Sequence, residues 1–571
     1  MIFTIVLSSI LAYVVWTLVC LESNVRKARA IGVPVIRLPV DTGNVLWMTL
    51  QPLIWNVLDR LPISWYSFPD FVRFSRRGWH FSDRSRTHVK LGPVWALVTP
   101  AAIQLHFADA DAIREIFDRK EDFVRPIKEY KLLEIFGPCL STAGWDDWAR
   151  HRKPLAAPFH EGLMNFVWDE SAEQVSAMAR SWTGDAARAE GIASVQKDCR
   201  TLSLNVLAAT GFRKSYDFHG SSDGLVGDAD EASSYRNALQ TVLDNAILLM
   251  LVPLRYLEAP VMPRSWARIG RAATIFQKYM EKMLNDEAAV MDQGQPGTGG
   301  IMTSFVNALA EYNLHPEKQS AKNSREGKRG LSVDEIYSNL FIINFAGHDT
   351  TANTLAFAMF LLAAHPDVQV WIAEEIAAVT KNERIEEWSY KTLFPQLNRC
   401  RAVLLETLRL FPPVMALPKW TAERGQRLTV GGKTLDIPPG VVTSPFLLAV
   451  QTHPKYWPDP YAWKPSRWIV NPAATPDCID QEKLLVPPKG AYFPWSDGPQ
   501  NCPGKKFAEV EAVAIFSRLF KTHRLTVKKE VAESDESARG RALACVNDID
   551  AELLLRMVDR GRARLLCTEV A

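Results

Sequence analysis

Cysteine is scarce and scattered: 8 among 571 residues, with no CxxC pair. That pattern excludes a disulfide framework and suits a reducing compartment for the main body. An excess of either charge is also missing, since 66 basic residues face 64 acidic ones. A nucleic-acid binder would carry a basic stripe, and none is present. There is no serine nucleophile elbow and no HExxH zinc motif, so the common hydrolase chemistries have no support. A glycine-rich dinucleotide fingerprint, a flavin-domain extension and internal repeats are likewise missing. What remains is an ordinary globular composition, 47% hydrophobic and 23% charged, with 18 tryptophans to bury.

One long run has no charge. IFTIVLSSILAYVVWTLVCL, residues 2 to 21, is followed by Arg26, Lys27 and Arg29. As a helix it spans about 30 Å, the thickness of a bilayer core. A secretory signal has a shorter apolar region and a basic start. Basic residues after the run place the body of the chain in the cytosol. The expectation is an uncleaved anchor over 1–25, a linker over 26–60 and a catalytic domain over 61–571. The next apolar stretch, NVLWMTLQPLIWNVLDRLP, reads either as a second membrane contact or as a buried helix broken at Pro52.

Residues 91 to 125 read as two short strands and a helix, and helical patterns dominate from about 145 to 290. Polar segments at 217–234 and from QGQPGTGG to Gly330 suit surface loops. LTVGGKTLDI reads as a hairpin across Gly431 and Gly432. Ser332 and Glu335 form a capping box, opening a helix that should run to Ala364 and stop at His365-Pro366. In its middle stands AGHDTT, residues 346 to 351. Glycine, aspartate and two threonines are poor helix formers, so the helix is expected to bend or open there.

Four further patterns carry chemistry. Trp148 and Arg152 lie four apart on one helix face, and Glu406 and Arg409 lie three apart on another. WKPSRW puts Arg467 in a turn between tryptophans. WSDGPQNCPG, residues 495 to 504, holds Cys502 among glycines and prolines, just before the apolar-periodic KKFAEVEAVAIFSRLF. A cysteine in so bent a segment is a poor core residue. A helix beginning near Lys505 would aim its N-terminal dipole at the sulfur and favour the thiolate, the form that binds metal. Phe507, Val510 and Ala514 on that helix are expected to be core.

In this order and at these separations, the pieces resemble the cytochrome P-450 family of haem-thiolate monooxygenases. The resemblance covers residues from about 90 to 525, and the cysteine loop is especially similar to family members from filamentous fungi that make secondary metabolites. It implies a mainly α fold with small β-sheets, the cytochrome P-450 fold, preceded by one N-terminal transmembrane helix. It implies haem b, iron protoporphyrin IX, with Cys502 as the axial ligand of the iron. Trp148, Arg152, Trp495, Gly498 and Gly504 would surround that cofactor. Glu406, Arg409 and Arg467 would form a buried structural network. Asp349 and Thr350 would be the acid–alcohol pair that delivers protons to dioxygen. Two departures stand out: Gln500 replaces the usual basic residue that meets a haem propionate, and Trp495 replaces a more frequent phenylalanine.

The resemblance further implies electrons from NADPH through a membrane-bound cytochrome P-450 reductase, at the endoplasmic reticulum with the catalytic domain in the cytosol. Arg150, His151, Lys153, Lys505 and Lys506 would offer a basic docking face. Residues 125 to 141 and Pro413 to Leu417 would line a pocket for a hydrophobic small molecule. Two alternatives stay open: a haem-thiolate isomerase or dehydratase that needs no external electrons, and a non-catalytic haem-binding protein.

Overall fold

The computed structural model describes residues 2–570 apart from 214, 224–230, 260, 261, 298, 316–327, 382, 472–478, 552, 553, 559 and 560. Parts of the two polar segments read as surface loops, 224–230 and 316–327, lie outside the described residues. The helices that build the site are α1 (Ile2–Ala30), α2 (Val45–Leu58), α3 (Trp145–Ala156), α4 (Glu161–Trp182), α5 (Val195–Phe212), α6 (Glu231–Asp244), α7 (Arg264–Asp292), α8 (Val333–Ala364), α9 (Pro366–Thr380), α10 (Asn398–Leu410) and α11 (Lys505–Thr522). The strands are β1 (Val35–Arg37), β2 (Val94–Val98), β3 (Ile103–Phe107), β4 (Lys419–Trp420), β5 (Gln426–Val430), β6 (Lys433–Ile437) and β7 (Val442–Pro445). The fold is thus mainly helical with small sheets, as expected.

Five strands pair in the order β1-β2-β3-β7-β4. β2 and β3 are antiparallel, with Val94 opposite Phe107, while β3 and β7 run parallel. Every residue of β2, VWALV, is buried, as a strand covered on both faces requires. The hairpin β5–β6 turns at Gly431 and Gly432, both at positive φ (57° and 79°), a geometry that glycine adopts without strain.

α1 continues nine residues past the apolar run. Its last third is docked: Leu21, Val25 and Ala28 are buried, and Asn24 donates to the carbonyls of Thr99 and Pro100, both at 3.1 Å. Its earlier part exposes its apolar side chains, and the stretch Leu7–Ala30 is long and apolar enough to cross a membrane. α2 corrects one expectation. It continues through Pro52 and is largely exposed, so it is not a buried helix broken at the proline.

α8, at 32 residues, is the longest helix among the described residues. It opens with the capping box of Ser332 and Glu335 and ends at Ala364, where His365 leads into Pro366. AGHDTT does not interrupt it. The hydroxyls of Thr350 and Thr351 bond back to the carbonyls of Ala346 (2.7 Å) and Gly347 (3.2 Å), so the threonines satisfy themselves inside the helix. Gly347 has a packing reason: a Cβ there would meet Leu207 of α5 at 3.2 Å.

The sheet region buries imidazoles. His106 of β3 stacks on Trp95 at 4.7 Å between ring centroids, and neither ring nitrogen has a hydrogen-bond partner. Burial pushes its pKa well below the ordinary value, and that of neighbouring His88 down to about 3. Both stay neutral in the fold, whereas the unfolded chain protonates below about pH 6.5. Stability from such a group is present above that pH and is lost as pH falls toward the folded value, by about 2 kcal/mol per histidine between pH 7 and 5. Buried Glu511, raised to about 8 by burial, acts in the opposite direction, so the useful quantity is a difference. His106→Phe should gain stability relative to the parent as pH falls from 7 to 5, by about 2 kcal/mol, read from denaturant unfolding at both pH values. An unchanged difference would mean that His106 is not held neutral.

Candidate active site

The cysteine loop is shaped by its backbone. Cys502 N–H donates to the carbonyl of Trp495 at 2.8 Å, and Asn501 N–H to that of Gly498 at 3.2 Å. Gly498 has φ +68°, and a Cβ there would press within 3.0 Å of the Phe117 carbonyl; the turn needs glycine on both counts. α11 starts at Lys505 with Gly504 as its N-cap, and the amides of both residues lower the pKa of the Cys502 thiol. Burial is the larger influence and pushes the thiol up; Arg152 also opposes it. The residue nevertheless keeps an exposed surface, as a thiol at the wall of a space would. By itself the loop holds a protonated thiol, and a cation at the sulfur is what would complete the thiolate. Phe507, Val510 and Ala514 are core.

Three cations surround this loop with no carboxylate partner among the described residues. Arg152 donates to the backbone and side-chain oxygens of Asn501 at 2.9 and 3.0 Å. Arg125 reaches the carbonyls of Leu140 (3.0 Å) and Gln500 (3.5 Å). Lys419 of β4 donates to Gln500 Oε1 at 3.0 Å. Burial, with help from Arg125, drives Lys419 down to about 7. Lys419 is buried and Arg125 and Arg152 are half-buried; desolvated cations without counter-charges are costly, and the two carboxylates of a porphyrin would relieve them. Trp148 stands beside Arg152, whose guanidinium carbon lies 5.9 Å from its ring centroid. A soft thiolate donor for iron and an anion-seeking cluster at its edge together fit haem.

Lys419, from a strand distant in sequence, stands beside Gln500 and would supply the cation that Gln500 lacks if a propionate lay there. Gln500→Ala should keep most of its haem, whereas Lys419→Met should lose more, compared as haem-to-protein ratio after gel filtration. Equal retention in the two variants would contradict the role given to Lys419.

Glu406, Arg409 and Arg467 come together. Arg409 grips Glu406 through two bonds of 2.8 and 2.9 Å, and Arg467 Nε reaches Glu406 Oε1 at 2.9 Å. Lys464 N–H and Trp468 Nε1 complete the carboxylate's shell at 2.8 and 2.9 Å. Glu406 and Arg409 are wholly buried. Arg409 also donates to the carbonyls of Gln451, Pro460 and Ala462. Gln451 in turn accepts from Phe493 N–H at 3.3 Å, at the approach to the cysteine loop. The network thus pins α10, the 451–468 segment and the loop to one another.

At mid-α8, Ala346 is exposed and Ile343, Phe345, Gly347 and Thr350 are half-buried between buried stretches, so the helix is open on that side. Asp349 points elsewhere. Its carboxylate takes an ion pair from Arg200 of α5 at 3.1 Å, and Arg200 also reaches Asp244 of α6 at 3.3 Å. His348 is buried, with Nδ1 2.6 Å from the Asn344 carbonyl and Nε2 3.8 Å from Asp349.

The basic docking face needs correction. Arg150 is buried between Asp147 (2.6 Å) and Glu335 (2.6 Å), and His151 is buried beside it. These two tie α3 to the start of α8. Lys153 and Lys505 remain exposed, while Lys506 lies over the Phe394 ring at 4.2 Å. Lys419 and Arg200 were not found from sequence. Their partners are 81 and 149 residues away, and no local pattern announces them.

The cytochrome P450 family profile matches residues 61–547. A cytochrome P-450 monooxygenase of Arthrobotrys oligospora is 28% identical over 96% of this chain and 95% of its own. Another from Postia placenta is 30% identical over 78% of this chain and 80% of its own. A third, named for the phomenoic acid biosynthesis cluster of Leptosphaeria maculans, is 26% identical over 90% of each. In structure, the haem domain of a further cytochrome P-450 superposes with a TM-score of 0.64 at 17% identity, covering 88% of this chain and 95% of that one. The profile spans most of the chain and these relatives cover most of it, so the chain belongs to the cytochrome P-450 family of monooxygenases.

Proposed function

We propose that the protein is a membrane-anchored monooxygenase of secondary metabolism that inserts one oxygen atom of dioxygen into a hydrophobic small molecule. Electrons would come from NADPH through a membrane-bound reductase, at the cytosolic face of the endoplasmic reticulum. The observation that carries the reading is Cys502, backed by a helix N-terminus and flanked by cations with no carboxylate partner among the described residues. The relative named for a biosynthesis cluster supports the pathway class, and the exposed apolar α1 supports the membrane location.

Cys502 would ligate the iron, and Arg125, Trp148, Arg152 and Lys419 would hold the propionates. Bound haem supplies the iron that activates dioxygen, with the thiolate pushing electron density toward it. The chain's own task is to place protons and exclude stray water. The Thr350 hydroxyl, now donating to the Ala346 carbonyl, can turn outward to hold a water. Asp349 can pass protons from solvent once its carboxylate exchanges Arg200 for a water. Arg200 is a positioning residue, since it sets where that carboxylate rests. Met415, Ala416 and Leu417, partly buried against the core, suit an apolar substrate. Lys153 and Lys505 remain as a smaller basic docking patch whose effect would weaken with salt.

Thr350→Ala should retain haem but release more hydrogen peroxide per NADPH consumed, with less product. Unchanged coupling of NADPH oxidation to product would remove Thr350 from proton delivery. NADPH-dependent consumption of substrate also separates this reading from a haem isomerase and from a haem carrier.

A further inference from the structure

The stretch SRRGWHFSDRSR, residues 75 to 86, carries four arginines against one acidic residue. Packing settles only part of that charge. Arg76 is paired with Asp59 through two bonds of 3.0 and 2.9 Å. Asp83 is turned into the core, where it accepts from the Thr87 hydroxyl at 2.7 Å and meets Arg73 at 3.8 Å. Arg77, Arg84 and Arg86 have no carboxylate partner among the described residues. Arg86 reaches only the Ser82 carbonyl, at 3.4 Å. The Arg84 guanidinium makes no hydrogen bond there at all; it lies over the rings of Phe81 and Tyr461, 4.9 and 5.6 Å from their centroids.

These three arginines line one cavity of about 830 Å³, and none of its lining residues belongs to the haem cluster or to Pro413–Leu417. The other acidic residues at its wall are engaged, Asp548 with Arg562 at 3.1 Å and Asp550 with Arg556 at 2.7 Å. The walls are aromatic and fixed. Trp47 holds α2 in place by donating to the Ser75 carbonyl at 3.0 Å, and Trp55 packs on Trp65 with centroids 5.8 Å apart. Trp55 is 4% exposed, yet its indole N–H has no partner, and neither has that of Trp65. Tyr66 donates to the Ser82 carbonyl at 2.9 Å, and Tyr461 Oη lies 2.9 Å from Ser85 Oγ. Arg84 itself has φ +50° and ψ −122°, a backbone conformation that a bulky residue keeps only where its surroundings over-determine it. Desolvation pulls its pKa down to about 10; Tyr461 opposes the fall and Arg409 adds to it. A negative charge beside Arg84 would offset both the desolvation and the repulsion.

We propose that this cavity is a second ligand site, separate from the haem pocket, for a small aromatic carboxylate, with Arg84 as the anchor of the carboxylate. A guanidinium presents a planar fork that matches a carboxylate. Arg77 and Arg86 add positive field without competing acids, and Trp55, Trp65 and Phe81 offer apolar faces to the body of the ligand. The volume lies within the range of about 300–1,000 Å³ usual for small-molecule sites. Occupancy would place the missing counter-charge at Arg84, next to the Arg409 network, and so stabilise the domain by mass action.

The test is calorimetric titration of the full-length holoprotein with naphthoate and with its neutral isostere naphthamide, after phenylimidazole has been bound to the haem iron so that the pocket above it is filled. Naphthoate is expected to bind one-to-one, and naphthamide about tenfold more weakly or worse. Arg84→Gln should weaken naphthoate by a similar factor and leave the carbon-monoxide spectrum unchanged. Arg86→Gln, at the exposed rim, should weaken it by about threefold, and it decides the matter if Arg84→Gln loses that spectrum. The proposal is overturned if naphthoate does not bind the blocked holoprotein, if acid and amide bind alike, or if the folded variants bind naphthoate as the parent does.

Discussion

Glu406→Ala should yield a chain that neither melts cooperatively nor retains haem. The carboxylate is the sole acidic partner of Arg409 and Arg467 among the described residues, and it accepts five hydrogen bonds, including those from Lys464 N–H and Trp468 Nε1. Removing it leaves Arg409 as a charge with no exposed surface. Breaking a buried pair from one side costs about 3–5 kcal/mol, against a total stability of about 5–15 kcal/mol. The loss falls where it matters most, because Arg409 and Gln451 hold the segment that leads to the cysteine loop. Calorimetry and the haem-to-protein ratio of the purified variant check both halves. A folded, fully loaded Glu406→Ala protein would show that the loop is positioned by something else.

The fold and much of the site are legible because the information is local. The ends of α8 follow from a capping box and from His365-Pro366, and the start of α11 follows from the loop before it. Cys502 stands out because its neighbours cannot pack a core. Helix spacing places Trp148 and Arg152 on one face, but it does not say what the other face meets. Arg150 and His151 look like surface charges until α3 is packed on α8, where Glu335 and Asp147 enclose them. Asp349 is similar: its sequence neighbours suggest a shared role with Thr350, while Arg200 on another helix decides where the carboxylate rests. Gln500 alone suggests a weakened propionate contact, and only the folded chain brings Lys419 of β4 beside it. Pro52 reads as a helix breaker, yet α2 passes through it, because packing through Trp47 and Trp55 outweighs one missing backbone donor. In each case long-range pairing overrides a local preference.

The second large effect belongs to the sulfur. Serine at 502 keeps the size and the backbone bond to Trp495, but its oxygen is neither soft nor readily ionised beside the helix N-terminus. Iron would lose an anionic donor, and with it the electron push that oxygen activation needs. The cationic cluster would remain, so some porphyrin can still bind, with altered colour and no turnover. The most direct measurement is the spectrum of the reduced, carbon-monoxide-bound protein in parent and Cys502→Ser forms. The parent should show the red-shifted Soret band of a thiolate-bound haem, and the variant should lack both that band and NADPH-dependent product formation. The same band and the same activity in the serine variant would contradict the assignment of Cys502 as the iron ligand.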